Sequence, residues 1–308
     1  MLKVHENVPL APLTTFGIGG SARYLVKVRT EEGLREAIEW ARRKKLGFIV
    51  LSGGSNVLLP DANLDALVIL FVGNLWSVEG NKIDTWAATN LLALIRAASA
   101  LGLGGWERLA GIPGAIGGAV RGNAGAFGPE IKDFVEDVRA LNIETGDFRE
   151  FTNAECNFSY RNSFFKQNPQ WIITRVRLQL SPVNPAESAK EIEATIAERE
   201  KRHIQNVRAA GSFFVNPVAP KEIQEMFEKE KGVKSREGRV PAGWLIEKVG
   251  LKGARVGDAM ASEQHPNYLK NDGKATAEQV KELAQKIKAA VKEKFGIELQ
   301  EEAVVISS

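Results

Sequence analysis

The chain of 308 residues carries one cysteine and three histidines. A lone thiol, Cys156, cannot close an intramolecular disulfide. Histidines at positions 5, 203 and 265 leave no metal-ligand spacing. The longest uncharged stretch, 7–22, is 16 residues long and holds two prolines and three glycines. It falls short of the roughly 20 apolar residues of a membrane helix. The opening Met1-Leu2-Lys3-Val4-His5 lacks the apolar segment of a secretory signal, so the expected location is the cytoplasm, without membrane insertion. There are no internal repeats, no low-complexity tracts and no G-x-x-x-x-G-K-[ST] phosphate loop. Charge of one sign is also scarce. The net is +3, divided as +2 over 1–185 and +1 over 186–308, with no basic stripe. That argues against a nucleic-acid partner. The mixed runs Glu198-Arg199-Glu200-Lys201-Arg202 and Glu228-Lys229-Glu230-Lys231 read as solvated helix faces.

What is present is an ordinary globular composition, 44% hydrophobic and 26% charged, with an excess of glycine. Ten of the 29 glycines fall in the 27 residues from Gly102 to Gly128.

Periodicity divides the chain. Residues 22–30 read as a strand, and Thr30 caps a helix with Leu34, Ala37, Ile38 and Ala41 on one face. A buried strand at 48–51 runs into Ser52-Gly53-Gly54-Ser55-Asn56, and further strands follow at 66–72 and 83–87. Residues 89–101 read as a helix, 135–143 and 171–180 as strands. The second alternates Ile172, Thr174, Val176, Leu178 and Leu180 against Arg175, Arg177 and Gln179, one face buried and one wet. Pro182 and Pro185 mark a break before a charged helix at 186–202; helices follow near 221–231 and 241–249. In the last helix Thr276 and Gln279 form a capping box, Val280, Leu283, Ile287, Val291 and Phe295 the apolar stripe, and Gly296 the stop. Residues 297–306 read as a final strand.

Gly17-Ile18-Gly19-Gly20-Ser21-Ala22 matches a dinucleotide fingerprint but has a strand after it instead of before it, which rejects that reading. Ser52-Gly53-Gly54-Ser55-Asn56 follows a strand and suits an anion-binding nest of backbone N–H groups, or a plain turn. Gly111-Ile112-Pro113-Gly114-Ala115-Ile116-Gly117-Gly118-Ala119-Val120 and Asn123-Ala124-Gly125-Ala126-Phe127-Gly128 suit a backbone lying against a large flat ligand, or a tight structural crossing. Arg161, set among Phe158, Tyr160, Phe164 and Phe165, is a carboxylate holder or a guanidinium resting on rings. Ser212 has no activating base beside it, so it is read as a proton donor or a turn serine and not as a nucleophile. Glu301 and Glu302 point to opposite faces of a strand, so one of them at most enters a site.

Taken in order, Leu13-Thr14-Thr15-Phe16-Gly17-Ile18-Gly19-Gly20, Ser52-Gly53-Gly54-Ser55-Asn56, Ala110-Gly111-Ile112-Pro113-Gly114, Asn123-Ala124-Gly125-Ala126-Phe127-Gly128, Tyr160-Arg161, Gly211-Ser212-Phe213-Phe214 and Glu302 resemble the UDP-N-acetylenolpyruvoylglucosamine reductase family over 9–306. The resemblance implies an α+β protein: an FAD-binding fold of the vanillyl-alcohol oxidase type plus a C-terminal substrate-binding domain. It implies FAD-binding subdomains at 1–85 and 86–200 and substrate binding at 201–302, with a strand at 303–308 returning to the first. It implies a monomer that binds FAD non-covalently, takes NADPH as reductant and reduces an enolpyruvyl UDP-sugar. With no histidine in the glycine-rich region, a histidyl flavin link there is excluded.

By the same resemblance Arg161 stabilises an enolate-like oxyanion, Glu302 sits on the same carboxylate, and Ser212 delivers the proton. FAD contacts carry over to Ser52, Gly53, Gly54, Ser55 and Asn56 for the pyrophosphate. They carry over to Gly111, Ile112, Pro113, Gly114, Ile116, Gly117, Gly118, Asn123, Ala124 and Gly125 along the ring and ribityl side. Tyr160, Asn216 and His265 carry over as substrate contacts. Two departures stand out. Val215 occupies a position where the family pattern has lysine, and only 51 positions separate Arg161 from Ser212. The short spacing is that of a subclass without the tyrosine loop that covers the substrate.

Overall fold

A computed structural model describes residues 2–126, 128–202 and 207–307. Phe127 of the glycine-rich motif and His203 lie outside the described residues. The chain forms two compact units: Met1–Val8 with Ala22–Gly54 and Asp65–Lys201, and Pro9–Ser21 with Ser55–Leu64 and Arg202–Ser308.

Among the described residues the first unit holds two larger sheets and the two-stranded pair of Leu103–Gly104 with Ser181–Pro182. One orders strands Val4–Pro9, Ser21–Val28, Leu64–Phe71 and Gly47–Leu51, the last two parallel. The other is antiparallel and orders Phe148–Thr152, Val135–Asn142, Trp171–Gln179, Lys82–Trp86 and Trp76–Glu79. Helix Glu31–Lys44 starts where the Thr30 side chain accepts from the Gly33 N–H, and it buries Leu34, Ala37, Ile38 and Ala41 as the periodicity requires. Helix Leu91–Ala100 is capped by Asn90 and buries Leu91, Leu94, Ile95 and Ala98. Both faces feed one core, with Val26, Ile69, Ile83, Trp106 and Val176 at zero exposure.

Strand Trp171–Gln179 keeps the expected alternation at Thr174, Val176 and Leu178, all fully buried. It departs from it at the other end, where a register shift between Ile173 and Arg175 puts Ile173 and Thr174 inward together. Arg175 and Arg177 stay outside and pair with Asp84 and Asp137. The 48–51 segment is less buried than expected. It forms strand Gly47–Leu51, but only Leu51 is fully covered. As the last strand in its sheet, it has a neighbour on one side only.

The second unit is helical around small sheets. Helix Ala277–Phe295 packs on the three strands Arg255–Val256, Ala259–Ala261 and Leu269–Asn271, helix Ala242–Lys248 packs on it in turn, and helix Lys221–Lys231 completes the unit. The Thr276 and Gln279 side chains close a reciprocal capping box, and Gly296 ends the helix at a φ of 67°. Its buried face, Val280, Leu283, Ala284, Ile287 and Val291, joins Phe213, Phe214 and Leu245 in a second core.

The long final strand expected at 297–306 is reduced to Val304–Val305, which pairs in parallel with Val57–Leu58. The preceding residues spend their backbone groups on the 213–215 segment instead. Val215 N–H donates to Gln300 O, Glu302 N–H to Phe213 O, and Phe214 bridges Glu301. Among the described residues no helix is long and apolar enough to cross a membrane.

Candidate active site

In the first unit the glycine-rich segments separate into packed and open positions. Gly53 approaches Gly114 so closely that a Cβ on Gly53 would lie 2.8 Å from the Gly114 Cα. Gly117 lies against Ala87, where a Cβ would meet the Ala87 Cβ at 2.8 Å, and its N–H donates to Ala87 O. Gly125 lies against Pro129 and Glu130, and Gly111 against Arg199. Gly53, Gly117 and Gly125 are therefore required by protein packing, and Gly111 by its left-handed φ of 79°. Gly118 differs. It is exposed, in helix Ile116–Arg121, and a Cβ there would meet nothing within 4 Å.

Ile116 buries its side chain completely and donates its N–H to Thr89 O. Ile112 and Ala124 are half-buried, Pro113 exposed. Ser52 is half-buried, Gly53 exposed, and Gly54 turns the chain at a φ of 57°.

Tyr160 and Arg161 form the tip of a two-residue turn. Ser159 and Asn162 exchange both backbone hydrogen bonds, and Arg161 takes a left-handed φ of 55°. The Arg161 guanidinium lies 5.1 Å from the Tyr160 ring centre, and it donates to Gly125 O (3.0 Å) and Asn123 O (3.4 Å). The second of the two alternatives is thus in place: the guanidinium rests on a ring, and two backbone carbonyls hold it there.

Asn123 is fully buried with a φ of 43°. Its Nδ2 donates to Glu130 Oε2 (3.0 Å) and to Ser159 O (2.9 Å), and its Oδ1 accepts from Lys132 N–H (3.3 Å). That side chain is committed to protein.

In the second unit the backbone pairing of 213–215 with 300–302 sets the chain at Ser212 beside the chain at Glu302. Glu302 N–H donates to the carbonyl of Phe213, the residue after Ser212, at 2.8 Å. Asn56 Nδ2 donates to Glu302 O (3.2 Å), and Val304 N–H donates to Asn56 O, so Asn56 holds the glutamate's backbone. Glu301 points elsewhere, to Lys288 at 2.9 Å.

Asn267, which no motif singled out, clamps the serine loop from the other side. Its carbonyl accepts from Phe213 N–H (2.7 Å). Its side chain accepts from Phe214 N–H (2.9 Å) and donates to Phe214 O (2.8 Å). An isolated buried asparagine leaves no periodic signature, and its proximity to His265 in sequence was the only available hint.

Asn216 Oδ1 accepts from Ala242 N–H at 2.9 Å, capping helix Ala242–Lys248 from outside it, while Arg239 donates to its carbonyl. His265 packs edge-on against Tyr268 at 4.9 Å, and burial pushes its imidazole below the usual pKa. Among the described residues no cluster of three histidine, cysteine or acidic side chains could hold a metal.

Each unit also matches known proteins. Residues 22–152 match the model of an FAD-binding domain, and 202–306 that of the UDP-N-acetylenolpyruvoylglucosamine reductase C-terminal domain. The UDP-N-acetylenolpyruvoylglucosamine reductase of Solibacter usitatus is 38% identical over 310 residues, 98% of this chain and 96% of the relative. That of Pseudomonas aeruginosa is 36% identical over 339 residues, 98% of each chain. Among solved structures, the UDP-N-acetylenolpyruvylglucosamine reductase (MurB) from Thermus caldophilus superposes over the whole of both chains with a TM-score of 0.77 at 33% identity.

Proposed function

The chain belongs to the UDP-N-acetylenolpyruvoylglucosamine reductase family, and we propose that it reduces UDP-N-acetyl-3-O-(1-carboxyvinyl)-glucosamine to UDP-N-acetylmuramate. The reaction uses FAD and NADPH and supplies a peptidoglycan precursor in the cytoplasm. The observation that carries this reading is the Glu302 N–H to Phe213 O bond, which draws the expected proton donor and the expected carboxylate partner onto neighbouring backbone. FAD binding by 1–85 and 86–200, and substrate binding by 201–302, belong to the same proposal.

The residues present fit FAD. The exposed, open Gly118 leaves room for a flat ligand against a helix, and the exposed Gly53, at the left-handed turn of Gly54, is where a pyrophosphate would meet backbone. When bound and reduced by NADPH, FAD supplies a hydride for carbon 3 of the enolpyruvyl group.

The chain's own residues do the rest. Negative charge builds at carbon 2 and spreads into the adjacent carboxylate. Arg161, held by two carbonyls in advance of reaction, stabilises that charge without rearranging. Glu302 meets the same carboxylate and serves best while protonated. The Ser212 hydroxyl delivers a proton to carbon 2, so that hydride and proton together saturate the double bond. A serine of ordinary acidity suffices because a carbanion is a strong base. Tyr160, Asn216 and His265 bind the sugar nucleotide.

The test is stopped-flow absorbance of the bound flavin, with NADPH added first and the sugar nucleotide second. Ser212→Ala is expected to leave reduction by NADPH near wild type and to stop reoxidation by the enolpyruvyl substrate. Equal loss in both halves refutes the assignment.

A further inference from the structure

We propose that Glu130 is a positioning residue for Arg161, acting through the side chain of Asn123; the catalytic half of this claim rests on the function proposed above. The chain of contacts is continuous within the first unit. Glu130 is only 9% exposed. Its Oε2 accepts from Asn123 Nδ2 at 3.0 Å and pairs with Lys132 Nζ at 2.7 Å. Asn123 then does two things for the turn that carries Arg161. Its Nδ2 also donates to Ser159 O, the first residue of the turn, and its own carbonyl accepts from the Arg161 guanidinium. The second carbonyl under the guanidinium belongs to Gly125, which forms a backbone bridge with Glu130. A Cβ on Gly125 would meet the Glu130 Cγ at 2.7 Å. The Glu130 side chain therefore bears on the Asn123 carbonyl through the Asn123 amide, while the Gly125 carbonyl sits in the backbone bridge that Glu130 itself forms.

The arrangement has a chemical reason. Asn123 and Arg161 both sit at positive φ, 43° and 55°, where non-glycine residues are strained. Such geometry persists when surrounding hydrogen bonds over-determine it. A carboxylate is the strongest acceptor for the Asn123 amide. The same carboxylate pairs with Lys132 Nζ and accepts the Asp133 backbone N–H as the cap of the turn Ile131–Asp133, so it is itself held in place.

The experiment compares wild type, Glu130→Ala, Glu130→Gln, Arg161→Ala and the Glu130→Ala/Arg161→Ala double variant, all with FAD bound. Reduction by NADPH and reoxidation by the enolpyruvyl UDP-sugar are timed separately. Glu130→Ala is expected to slow reoxidation about tenfold to a hundredfold, as a misplacement of about 1 Å does. Reduction should stay within about twofold of wild type. Glu130→Gln, which keeps an acceptor for Asn123, is expected to recover most of the loss. In the Arg161→Ala background Glu130→Ala is expected to cost no more than about twofold, because a residue acting through Arg161 has nothing left to position. Losses that multiply in the double variant overturn the proposal. So does equal slowing of both half-reactions, or an unaffected Glu130→Ala.

A second readout stands apart from turnover. The Arg161 Nε–H signal in 15N NMR, assigned with Arg161→Lys, is expected to exchange slowly with water in wild type and Glu130→Gln and fast in Glu130→Ala. No difference between wild type and Glu130→Ala overturns the positioning role. A wild type that shows this difference but is not reoxidised by the sugar nucleotide upholds the positioning and refutes the proposed function.

Discussion

Asn267 satisfies both backbone polar groups of Phe214: its Oδ1 accepts from the N–H at 2.9 Å and its Nδ2 donates to the carbonyl at 2.8 Å. A side chain that pairs with a residue in this way substitutes for a neighbouring strand. It locks the segment that begins at Ser212 against sliding. Asn267 is 2% exposed, so no water is at hand to replace it.

Asn267→Ala leaves two buried backbone groups unpaired. Each costs roughly 1–3 kcal/mol. The expected outcome is a urea midpoint lowered with an unchanged m-value. Asn267→Asp keeps the acceptor, sets oxygen against oxygen at Phe214, and is expected to fall between wild type and Ala. A midpoint unchanged in both variants would remove the clamp.

How much of this was legible in the sequence depends on the range of the signal. The cap at Thr30, the box of Thr276 and Gln279 and the buried faces of their helices are local patterns, and the structure has them where periodicity puts them. Strand 171–179 was legible in alternation but not in its register shift, which depends on the partner strand. The 297–303 residues carry strand-like composition, yet they pair with 213–215 as single bonds and bridges, because that partner is itself a short loop. Membership of 9–21 and 55–64 in the unit of 202–308 is a long-range packing fact with no local trace. The proposed catalytic residues Arg161, Ser212 and Glu302 were legible as residue types in motifs. Asn123, Glu130 and Asn267 were not legible in the roles they have, since a buried hydrogen bond between distant residues has no periodicity.

His265 makes stability depend on acid. Burial holds its pKa below the ordinary 6.5. Between the two values the unfolded chain binds more protons than the folded one, so stability rises with pH there. The contribution is therefore complete above pH 6.5 and is lost as pH falls through the lowered folded value. His265→Gln is expected to flatten the decline of the melting temperature on the acid side of that point. A slope identical to wild type would remove His265 as its source.

Cys156 is expected to be inert. Burial pushes its thiol up to about 12, and its Sγ lies 3.9 Å from Phe151 O at zero exposure. The thiolate is the nucleophile, so the folded protein should resist iodoacetamide at pH 8 and label fully in denaturant. For a group raised in this way the folded state is favoured below the unfolded value and loses that advantage as pH climbs towards 12. Labelling at equal rates in the folded and unfolded protein would contradict the burial.

Gly117 and Gly118 are adjacent in one short helix and separate the two possible reasons for a glycine. At Gly117 a Cβ meets the Ala87 Cβ at 2.8 Å and its carbonyl at 3.0 Å, so Gly117→Ala must displace backbone. Overpacking of that kind costs roughly 1–3 kcal/mol. At Gly118 the same methyl meets no protein atom within 4 Å. In a helix, alanine there is favoured over glycine by about 0.5–1 kcal/mol. Gly117→Ala is therefore expected to lower the melting temperature of the FAD-free protein, and Gly118→Ala to leave it unchanged or raise it. If Gly118 is open because FAD lies against it, Gly118→Ala should release FAD more readily in spite of its sturdier fold, read as flavin fluorescence on dilution. Stability and cofactor retention then move in opposite directions at a single residue. Packing alone cannot produce that result, and retention equal to wild type in Gly118→Ala would remove Gly118 from the proposed FAD contacts.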